Sequence, residues 1–467
     1  MSSKTDTKKF GLRPVPSLGA TAAVLVPGGV LALLSTTVVG VAVPEMAAEF
    51  GSDVTSAQWV TTAYLLAAGI AIPLSGWSTL RFGVRHTWLA AMAVFAAGSL
   101  LAVLAPDFGA LAAARVIQGF GGGALEPVML TALAQLAGPA RIGRVMGATA
   151  AVMSVGPLAG PALGGLVVDT LGWRWTFVFT AVIAALLLLG SLPVLRSGVR
   201  ERVGLDVRGL ILLGLATTLG LFGLSRAATS DGFDVVTAVS LVAGSAALAG
   251  FVLSARRRGT AAIVDLATFS HRGFGPAVGI MALMGAGIYP LFFGLPLYFV
   301  GVAGTDATTA GLLMIPYGLG TLVAMPIAGR LSDRVDGRIM IWAGVALGLA
   351  GFLGLMTTGA GTPIWLFAAL ALLVGLGLGS VGSPTVSTLY RVLPARLLPS
   401  GSTLLFVGNQ LGGALGVSIL VILIGHSEWD AGVGTVPFWL PVSVMLGIGL
   451  LATRLDGRDV DRESIAA

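Results

Sequence analysis

The sequence predicts an all-helical membrane protein that crosses the bilayer fourteen times. Three observations support this prediction: 56% of the 467 residues are hydrophobic and only 10% are charged, long apolar runs recur along the chain, and basic residues fall in alternate connections between those runs. The mean hydropathy is +0.95. Because a soluble protein carries about 25% charged residues, this composition fits lipid as the solvent and not water.

Fourteen apolar runs are long enough to cross a membrane, since a transmembrane helix needs about 20 apolar residues. We number the predicted helices in chain order, and they span 18–43, 58–80, 86–106, 109–135, 143–168, 174–195, 207–226, 234–255, 274–300, 307–329, 339–358, 362–386, 401–425 and 436–453. The first run is longer than the apolar core of a signal peptide, which is about 7–15 residues. We therefore expect it to be retained as the first crossing.

The distribution of basic residues predicts the orientation in the membrane. Lys and Arg lie in the N-terminal tail and in every second connection after it, whereas the remaining connections hold mainly Asp and Glu, with Arg174 and Arg226 as their only basic residues. Cytoplasmic connections of membrane proteins are enriched in Lys and Arg. We expect a multi-pass protein of the inner (plasma) membrane with both termini in the cytoplasm.

An internal repeat predicts how the fourteen helices are arranged. Pro73, Gly76, Arg81 and Arg85 align without gaps to Pro326, Gly329, Arg334 and Arg338 at an offset of 253, and Gly156, Gly160 and Gly164 align to Gly408, Gly412 and Gly416 at 252. The repeat pairs helix 2 with helix 10 and helix 5 with helix 13. It predicts an N-terminal six-helix bundle (1–200), two linker helices (201–260) and a C-terminal six-helix bundle (261–467), with the two bundles in the same orientation. Such parallel halves are typical of transporters.

Several other function classes do not fit this sequence. Cysteine is absent, and the three histidines are far apart in the sequence, so neither disulfides nor a metal site is expected. The net charge of +6 resides in short connections between apolar runs, which does not indicate nucleic-acid binding. The chain also lacks a phosphate-binding loop and a nucleophile–base pattern. We expect no enzyme activity, no metal and no cofactor.

Motifs along nearly the whole chain resemble one family. The connections GWSTLRFGVR (76–85) and GRLSDRVDGR (329–338), LAAARVIQGFGGGA (111–124) in helix 4, GPLAGPALGG (156–165) in helix 5, QWVTTAYLLA (58–67) and GWRWTF (172–177) together resemble the fourteen-helix drug:proton antiporter branch of the major facilitator superfamily. This resemblance implies export of small amphipathic drugs or metabolites by alternating access, with the proton gradient as the energy source. It also implies a small-molecule substrate, protons and the lipid bilayer as partners, and a monomer.

The sequence departs from the family pattern at two positions. Leu80 stands where the first connection motif has Asp, whereas Asp333 is present in the second copy. The branch also carries an Asp in helix 1, but LSTTVVGVAVP (34–44) has Ser35 at that position and Gly40 in place of the usual Asn. The first departure predicts a weakened or differently built connection in the first half. The second leaves the chain without the usual helix 1 proton site.

Glu126 in helix 4 is the candidate proton-coupling residue, with Arg115 as its companion. A charged Asp in the centre of a transmembrane helix costs about 2.5–3.5 kcal/mol, so burial favours the protonated form of a carboxylate. Arg115 lies eleven residues earlier, three helical turns away on the same side of the helix. Two alternatives remain open, namely a permanently protonated Glu126 bonded to a neighbouring helix, and a counter-ion for cationic substrates.

Polar, aromatic and methionine side chains on the predicted inward-facing helices are the candidate substrate contacts, since such groups adapt to varied ligands. They are Ser35, Tyr64, Gln118, Met129, Met153, Tyr289, Phe293, Tyr298, Tyr317, Phe406, Asn409 and Gln410. The alternative for the methionine and aromatic residues is ordinary packing, and Asn409 and Gln410 have the alternative of hydrogen bonds between helices.

The repeated motifs contain the candidate conformational residues. They are Gly76, Arg81, Arg85, Gly156, Pro157, Gly160, Pro161, Gly164, Gly329, Asp333, Arg334, Arg338, Gly408, Gly412 and Gly416. Glycines four residues apart allow another helix to approach closely. We expect the two glycine stripes to form the surfaces on which the halves rock, with simple close packing as the alternative.

Three other functions remain open for this sequence. Two of them are also forms of transport: a uniporter and a lipid exporter, neither of which uses protons. The third is a receptor or scaffold that does not transport.

Overall fold

The computed structural model describes residues 17–51, 59–138, 140–196, 200–201, 203–229, 234–301, 307–359, 361–425 and 436–455. We label the helices in chain order. The first eight are α1 (Leu18–Glu49), α2 and α3 (two parts of Trp59–Val103 that meet at Gly83), α4 (Phe108–Ala137), α5 (Ile142–Leu171), α6 (Arg174–Val194), α7 (Val207–Thr229) and α8 (Val235–Arg258).

The C-terminal helices follow two short 3-10 turns after α8. They are α9 (Phe274–Gly301), α10 (Ala307–Leu312 and Met314–Ser332, interrupted at Leu313), α11 (Gly337–Met356), α12 (Ile364–Val392), α13 (Leu398–Gly425) and α14 (Val436–Ala452). The described residues contain helices and no strands. Eleven helices within these ranges are long and apolar enough to span a membrane.

Most helix ends agree with the sequence-based prediction to within a few residues, and two helices are clearly longer. α1 continues to Glu49 and therefore carries Glu45 and Glu49 in its last turns. α12 continues to Val392. Gly83 separates α2 from α3, because its φ of 81° is readily adopted only by glycine and breaks the helix.

The glycine stripes of α5 and α13 pack within their own halves, which differs from our expectation. A Cβ at Gly156 or Gly160 would meet α1 residues, including Leu33 and Thr37 respectively. A Cβ at Gly412 would approach Ala282 of α9 in the same way. Gly164, Gly408 and Gly416 likewise face α1 or α9. The stripes therefore join α5 to α1 in the first half and α13 to α9 in the second half. These two helix pairs are equivalent in the internal repeat.

The N-terminal helices (α1–α6) meet the C-terminal helices (α9–α14) through a few specific pairs. α5 packs against α10 and α12, while α13 packs against α2 and α4. We call the end of the molecule that holds the connections with Arg81, Arg144, Arg334 and Arg396 the basic end. Among the described residues, the hydrogen bonds between the two groups of helices lie towards this end.

Helices α7 and α8 pack mainly against each other. α7 also contacts α2 and α13, and the Ser418 hydroxyl of α13 donates a hydrogen bond to the Leu224 carbonyl of α7 over 2.5 Å. The pair therefore contacts both groups of helices.

Candidate functional site

Glycines on α4 bring α2 close enough for Tyr64 to reach the middle of the helix. A Cβ at Gly119 would collide with the Tyr64 carbonyl oxygen, and one at Gly122 would collide with its hydroxyl. At Gly123 a Cβ would lie 2.5 Å from the Ala68 Cα. The sequence GFGGG therefore has a packing role here, because only glycine leaves room for the neighbouring backbone.

Arg115 is fully buried beneath this contact and holds a network of neutral partners. Its Nε donates to the Val60 carbonyl over 3.1 Å, and its Nη1 donates to Ser35 Oγ over 3.4 Å and to Gln118 Oε1. Gln118 in turn donates to Ser35 Oγ over 3.3 Å and to Ser99 Oγ over 2.7 Å. The network therefore links α1, α2, α3 and α4.

No carboxylate balances the charge of Arg115 among the described residues, and its Nη2 has no hydrogen-bond partner there. Ser35 lies at the position where the resemblance implies an Asp, and its hydroxyl contacts the guanidinium. The Tyr64 ring stacks on the guanidinium, with Cζ 4.3 Å from the ring centre. A cation–π contact stabilises a desolvated cation by about 2 kcal/mol, so it compensates only part of the missing charge.

Glu126 lies near the middle of α4 and is half-buried. Within the described part of the chain its carboxylate forms no hydrogen bond or ion pair. It interacts electrostatically with the phenol groups of Tyr64 on α2, Tyr289 on α9 and Tyr390 on α12. The carboxylate therefore lies between the N-terminal and C-terminal helices, with phenols and not cations around it.

Tyr64 connects the two charged residues of α4. Its ring contacts Arg115, its hydroxyl donates to the Ala32 carbonyl of α1 over 3.3 Å, and its phenol interacts with Glu126. Arg115 and Glu126 are about 16 Å apart along the helix axis, too far for a direct contact.

The aromatic candidates occupy different environments. Tyr289 is 41% exposed, near Glu126. Tyr298 and Tyr317 are buried, and the Tyr298 hydroxyl binds the Leu355 and Thr358 carbonyls in the C-terminal helices. Phe406 is also buried. Of these four, Tyr289 is the one with an exposed surface near the carboxylate.

The other substrate candidates include three that pack between helices. Met129 and Met153 are buried beside Gly29 of α1. Asn409 donates a hydrogen bond to the Met281 carbonyl over 2.9 Å, which is the alternative stated for it above. Gln410 is half-buried. The side chains of Phe293, Pro157 and Pro161 lie outside the described part of the structure.

Sequence reasoning missed two residues of this region. Ser99 accepts the Gln118 amide, but a single serine in an apolar helix gives no signal by which it could be chosen. Tyr390 interacts with Glu126 and hydrogen-bonds to Ser402 Oγ over 2.6 Å. There was little reason in the sequence to choose Tyr390, because it falls just beyond the predicted end of helix 12.

At the basic end, Asp333 joins the two groups of helices. Its carboxylate accepts the backbone N–H groups of Gly143 and Arg144 at the start of α5, over 2.8 and 2.9 Å. The guanidinium of Arg391 lies 3.2 Å from the same carboxylate. A negative group at a helix N-terminus is stabilised by unpaired N–H groups and by the helix dipole. The Asp333 contact therefore holds α10 against α5.

The remaining candidates of the two connection motifs have local roles or are exposed. Gly329 packs so closely on Gly143 and Gly147 that a Cβ would not fit, and Gly76 packs on Pro399 and Thr403 of α13. Each motif glycine thus packs on the first turns of a helix in the other group, and the Gly329 contact is the closer of the two. Arg338 pairs with Asp336 in its own connection, Arg81 and Arg334 are exposed and Arg85 is half-buried.

Comparisons with known proteins agree with this architecture. A family model described as the Major Facilitator Superfamily matches residues 25–417 and again 277–465, so that the two matches begin 252 residues apart, the offset of the internal repeat. The chain is similar to the Multidrug resistance protein B homolog of Mycobacterium tuberculosis, at 35% identity over 87% of this chain and 77% of that protein. It is also similar to the Tetracenomycin C resistance and export protein of Streptomyces glaucescens, at 28% identity over 92% and 81%.

Solved structures show the same fold at low sequence identity. The human organic anion transporter MFSD10 aligns with a TM-score of 0.65 and 17% identity, covering 94% of this chain and all of that one. The proton:xylose symporter XylE aligns with a TM-score of 0.63 and 18% identity, covering 92% and 94%.

Proposed function

Because the chain belongs to the Major Facilitator Superfamily, and is therefore an integral membrane transporter and not an enzyme, we propose that it exports small amphipathic compounds in exchange for protons. Relatives named for multidrug resistance and for export of an antibiotic support the substrate class and the direction. The proposal includes fourteen crossings arranged as six, two and six, a basic end in the cytoplasm with both termini, and a monomer without cofactor.

The position of Glu126 is the observation that carries proton coupling in this proposal. The carboxylate lies within a membrane-spanning helix, between the two groups of helices, and has no cation beside it among the described residues. A carboxylate in such a place is costly when charged, so a change of exposure between two conformations changes its protonation. Binding and release of a proton by Glu126 would then be linked to the alternation of the transporter.

The substrate would occupy the space between the two groups of helices, next to Glu126. Tyr289 supplies an exposed phenol there, whereas Tyr64 and Tyr390, which also interact electrostatically with the carboxylate, are buried. Aromatic faces bind apolar and cationic groups, and the hydroxyls form hydrogen bonds. In this arrangement a cationic amphipath and a proton compete for the same carboxylate, which is how an antiporter exchanges one for the other.

The arrangement of Arg115, Tyr64 and Glu126 supports a proton site on helix 4 in place of the usual one on helix 1. Helix 1 has Ser35 where the resemblance implies Asp, and that serine is bonded to Arg115. Glu126 lies on the same side of α4 as Arg115, and Tyr64 contacts Arg115 and interacts electrostatically with Glu126. We propose that the acidic group has moved from helix 1 to helix 4.

Transport by Glu126→Gln in proteoliposomes tests this function. The probe is ethidium, a fluorescent amphipathic cation, and each variant is assayed for uptake driven by a pH gradient and for exchange without a gradient. We expect Glu126→Gln to lose the pH-driven uptake and to retain exchange. Asp169→Asn is the matched control, because Asp169 is exposed at the far end of α5, and it should behave as the wild type.

Other results would replace the proposal. A Gln variant that still responds fully to the gradient would remove Glu126 from proton coupling. Loss of both modes for ethidium, with a neutral amphipath still driven by the gradient, would identify Glu126 as a counter-ion for cations. Wild-type protein that moves substrate equally with and without a gradient would be a uniporter, and one that moves nothing would favour a receptor or scaffold.

A further inference from the structure

The two connection motifs have equivalent backbone contacts but different acidic groups. Gly329 packs on the start of α5, and Gly76 packs in the same way on the start of α13, 3.3 Å from the Pro399 carbonyl oxygen as measured from an ideal Cβ. Asp333 then bonds to α5. The position equivalent to Asp333 is Leu80, which has no carboxylate to offer to α13.

Glu201 supplies a carboxylate at this place from another part of the chain. Its backbone N–H donates a hydrogen bond to the Leu80 carbonyl over 2.9 Å, which fixes it beside the position of the missing Asp. Its side chain forms an ion pair with Arg396, whose Nε lies 3.1 Å from Oε2. Glu201 therefore connects the first motif to the segment just before α13.

Arg396 is the repeat equivalent of a residue in the Asp333 contact. At the offset of 252 it corresponds to Arg144, whose backbone N–H binds Asp333. Asp333, at the end of α10, thus bonds to the basic segment that begins α5. Glu201, beside the end of α2, bonds to the basic segment just before α13. They differ in that Asp333 bonds to backbone N–H groups, whereas Glu201 bonds to a side chain.

The residue before Glu201 holds the segment to the same connection. Arg200 Nη2 lies 3.2 Å from the His86 ring nitrogen Nδ1, at the start of α3. Together with the bond to Leu80, this contact fixes residues 200–201 against both ends of the connection between α2 and α3. The Glu201 carboxylate therefore moves with the N-terminal helices, while Arg396 belongs to the C-terminal helices.

We propose that Glu201 takes over the function of the Asp that is missing at position 80 and holds the basic end closed together with the Asp333 contact. Glu201 is then a positioning residue of the transport cycle, located in the connection that leads to α7. The inference rests on alternating access alone and is independent of proton coupling by Glu126. An exposed ion pair contributes about 0.2–1 kcal/mol, so its loss should change the opening equilibrium at most about fivefold.

A single cysteine can report opening, because the chain has no cysteine of its own. Thr131 on α4 is 1% exposed, and its Oγ1 lies 2.9 Å from Ser402 Oγ on α13. It therefore lies between the two groups of helices, towards the basic end. In Thr131→Cys, the rate of labelling by a maleimide in detergent, without substrate or gradient, measures how often this region opens. Glu126→Gln in the same background provides the comparison with the proposed proton site.

We expect Glu201→Gln and Arg396→Gln to label about 1.4 to five times faster than the Thr131→Cys parent. The swap Glu201→Arg with Arg396→Glu should return the rate to that of the parent. Leu80→Asp added to Glu201→Gln should also slow labelling again, because it places a carboxylate where the second half has one. Neither result depends on whether Glu126→Gln loses pH-driven uptake.

Unchanged labelling in Glu201→Gln, or a swap that labels as fast as Arg396→Gln, would overturn the proposal. If Glu201→Gln does not fold, as judged by size-exclusion chromatography and thermal melting, the swap still decides. It keeps both charges, so a folded swap variant with parental labelling supports the ion pair, and one with fast labelling contradicts it.

Discussion

The carboxylate of Asp333, at the end of α10, accepts a hydrogen bond from the backbone N–H of Gly143, at the start of α5, over 2.8 Å. The two residues are 190 positions apart and belong to different groups of helices. At the basic end, an acidic side chain from one half is therefore bonded to a helix N-terminus from the other.

Asp333→Asn should open the basic end. The amide oxygen can replace one carboxylate oxygen, but the amide NH2 cannot accept the second N–H group, and the attraction to Arg391 is lost. A charge-assisted hydrogen bond contributes about 1.5–3 kcal/mol, so we expect Thr131→Cys labelling to rise about tenfold to a hundredfold. Asp336→Asn is the control, since Asp336 binds Arg338 in its own connection. Equal rates for the two variants would contradict this role of Asp333.

Gly160→Ala should lower stability and transport together. Its Cβ would lie 2.7 Å from the Thr37 Cβ and closer still to the hydroxyl, and overpacking of this kind costs about 1–3 kcal/mol. Because the stripe packs α5 against α1 in the same half, the loss should appear in the melting temperature. Gly165→Ala is the matched control, since no atom lies within 4 Å of its Cβ. A normal melting temperature with blocked transport would instead make the stripe a moving surface.

The ion pair between Glu49 and Arg174 should make stability depend on pH in the acidic range. The hydrogen bond from Arg174, with a further one from Trp173, lowers the pKa of Glu49 below its ordinary value of 4.5. The stabilisation is therefore complete above about pH 5 and is lost as the pH falls through the lowered pKa. Both side chains are over one-third exposed, so the effect is less than about 1 kcal/mol.

Thermal melting of the wild type and of Glu49→Gln, measured from pH 7 to pH 3, checks this expectation. The wild type should melt higher at pH 7, and the difference should shrink as the pH falls below about 5. A difference that stays constant over this range would show that the charge of Glu49 does not contribute.

The apolar runs were sufficient to predict the helices, because length and hydropathy are local properties of the sequence. Which helices pack against each other was harder to predict. The spacing of Gly156, Gly160 and Gly164 indicates a smooth helix surface, but it does not say which helix covers it, and the structure gives α1. Contacts such as Glu201 with Arg396, 195 residues apart, depend on the folded arrangement and leave no pattern in a single sequence.

The environment of Arg115 shows the same limit. Its presence in the helix 4 motif could be read from the sequence, as could the substitution at Ser35. The bonds to Ser99 and the Val60 carbonyl could not, because a serine and a backbone oxygen have no distinguishing pattern. The structure adds the decisive fact that the guanidinium is fully buried and without a carboxylate in the described part of the chain.

Ser35→Asp should therefore stabilise the protein. Ser35 Oγ lies 3.4 Å from Arg115 Nη1 and 3.3 Å from Gln118 Nε2, so a carboxylate at this position would reach both donors. Arg115 pays the desolvation of a buried cation while its Nη2 has no partner. Hydrogen bonds to charged groups contribute about 1.5–3 kcal/mol, and we expect a gain of about that size, seen as a higher melting temperature. In the control Ser35→Asn, the Asn side chain has nearly the same volume as Asp but no charge. This variant should gain little or no stability. If Asn raises the melting temperature as much as Asp does, packing or neutral hydrogen bonds account for the effect, and the missing charge partner of Arg115 does not limit stability.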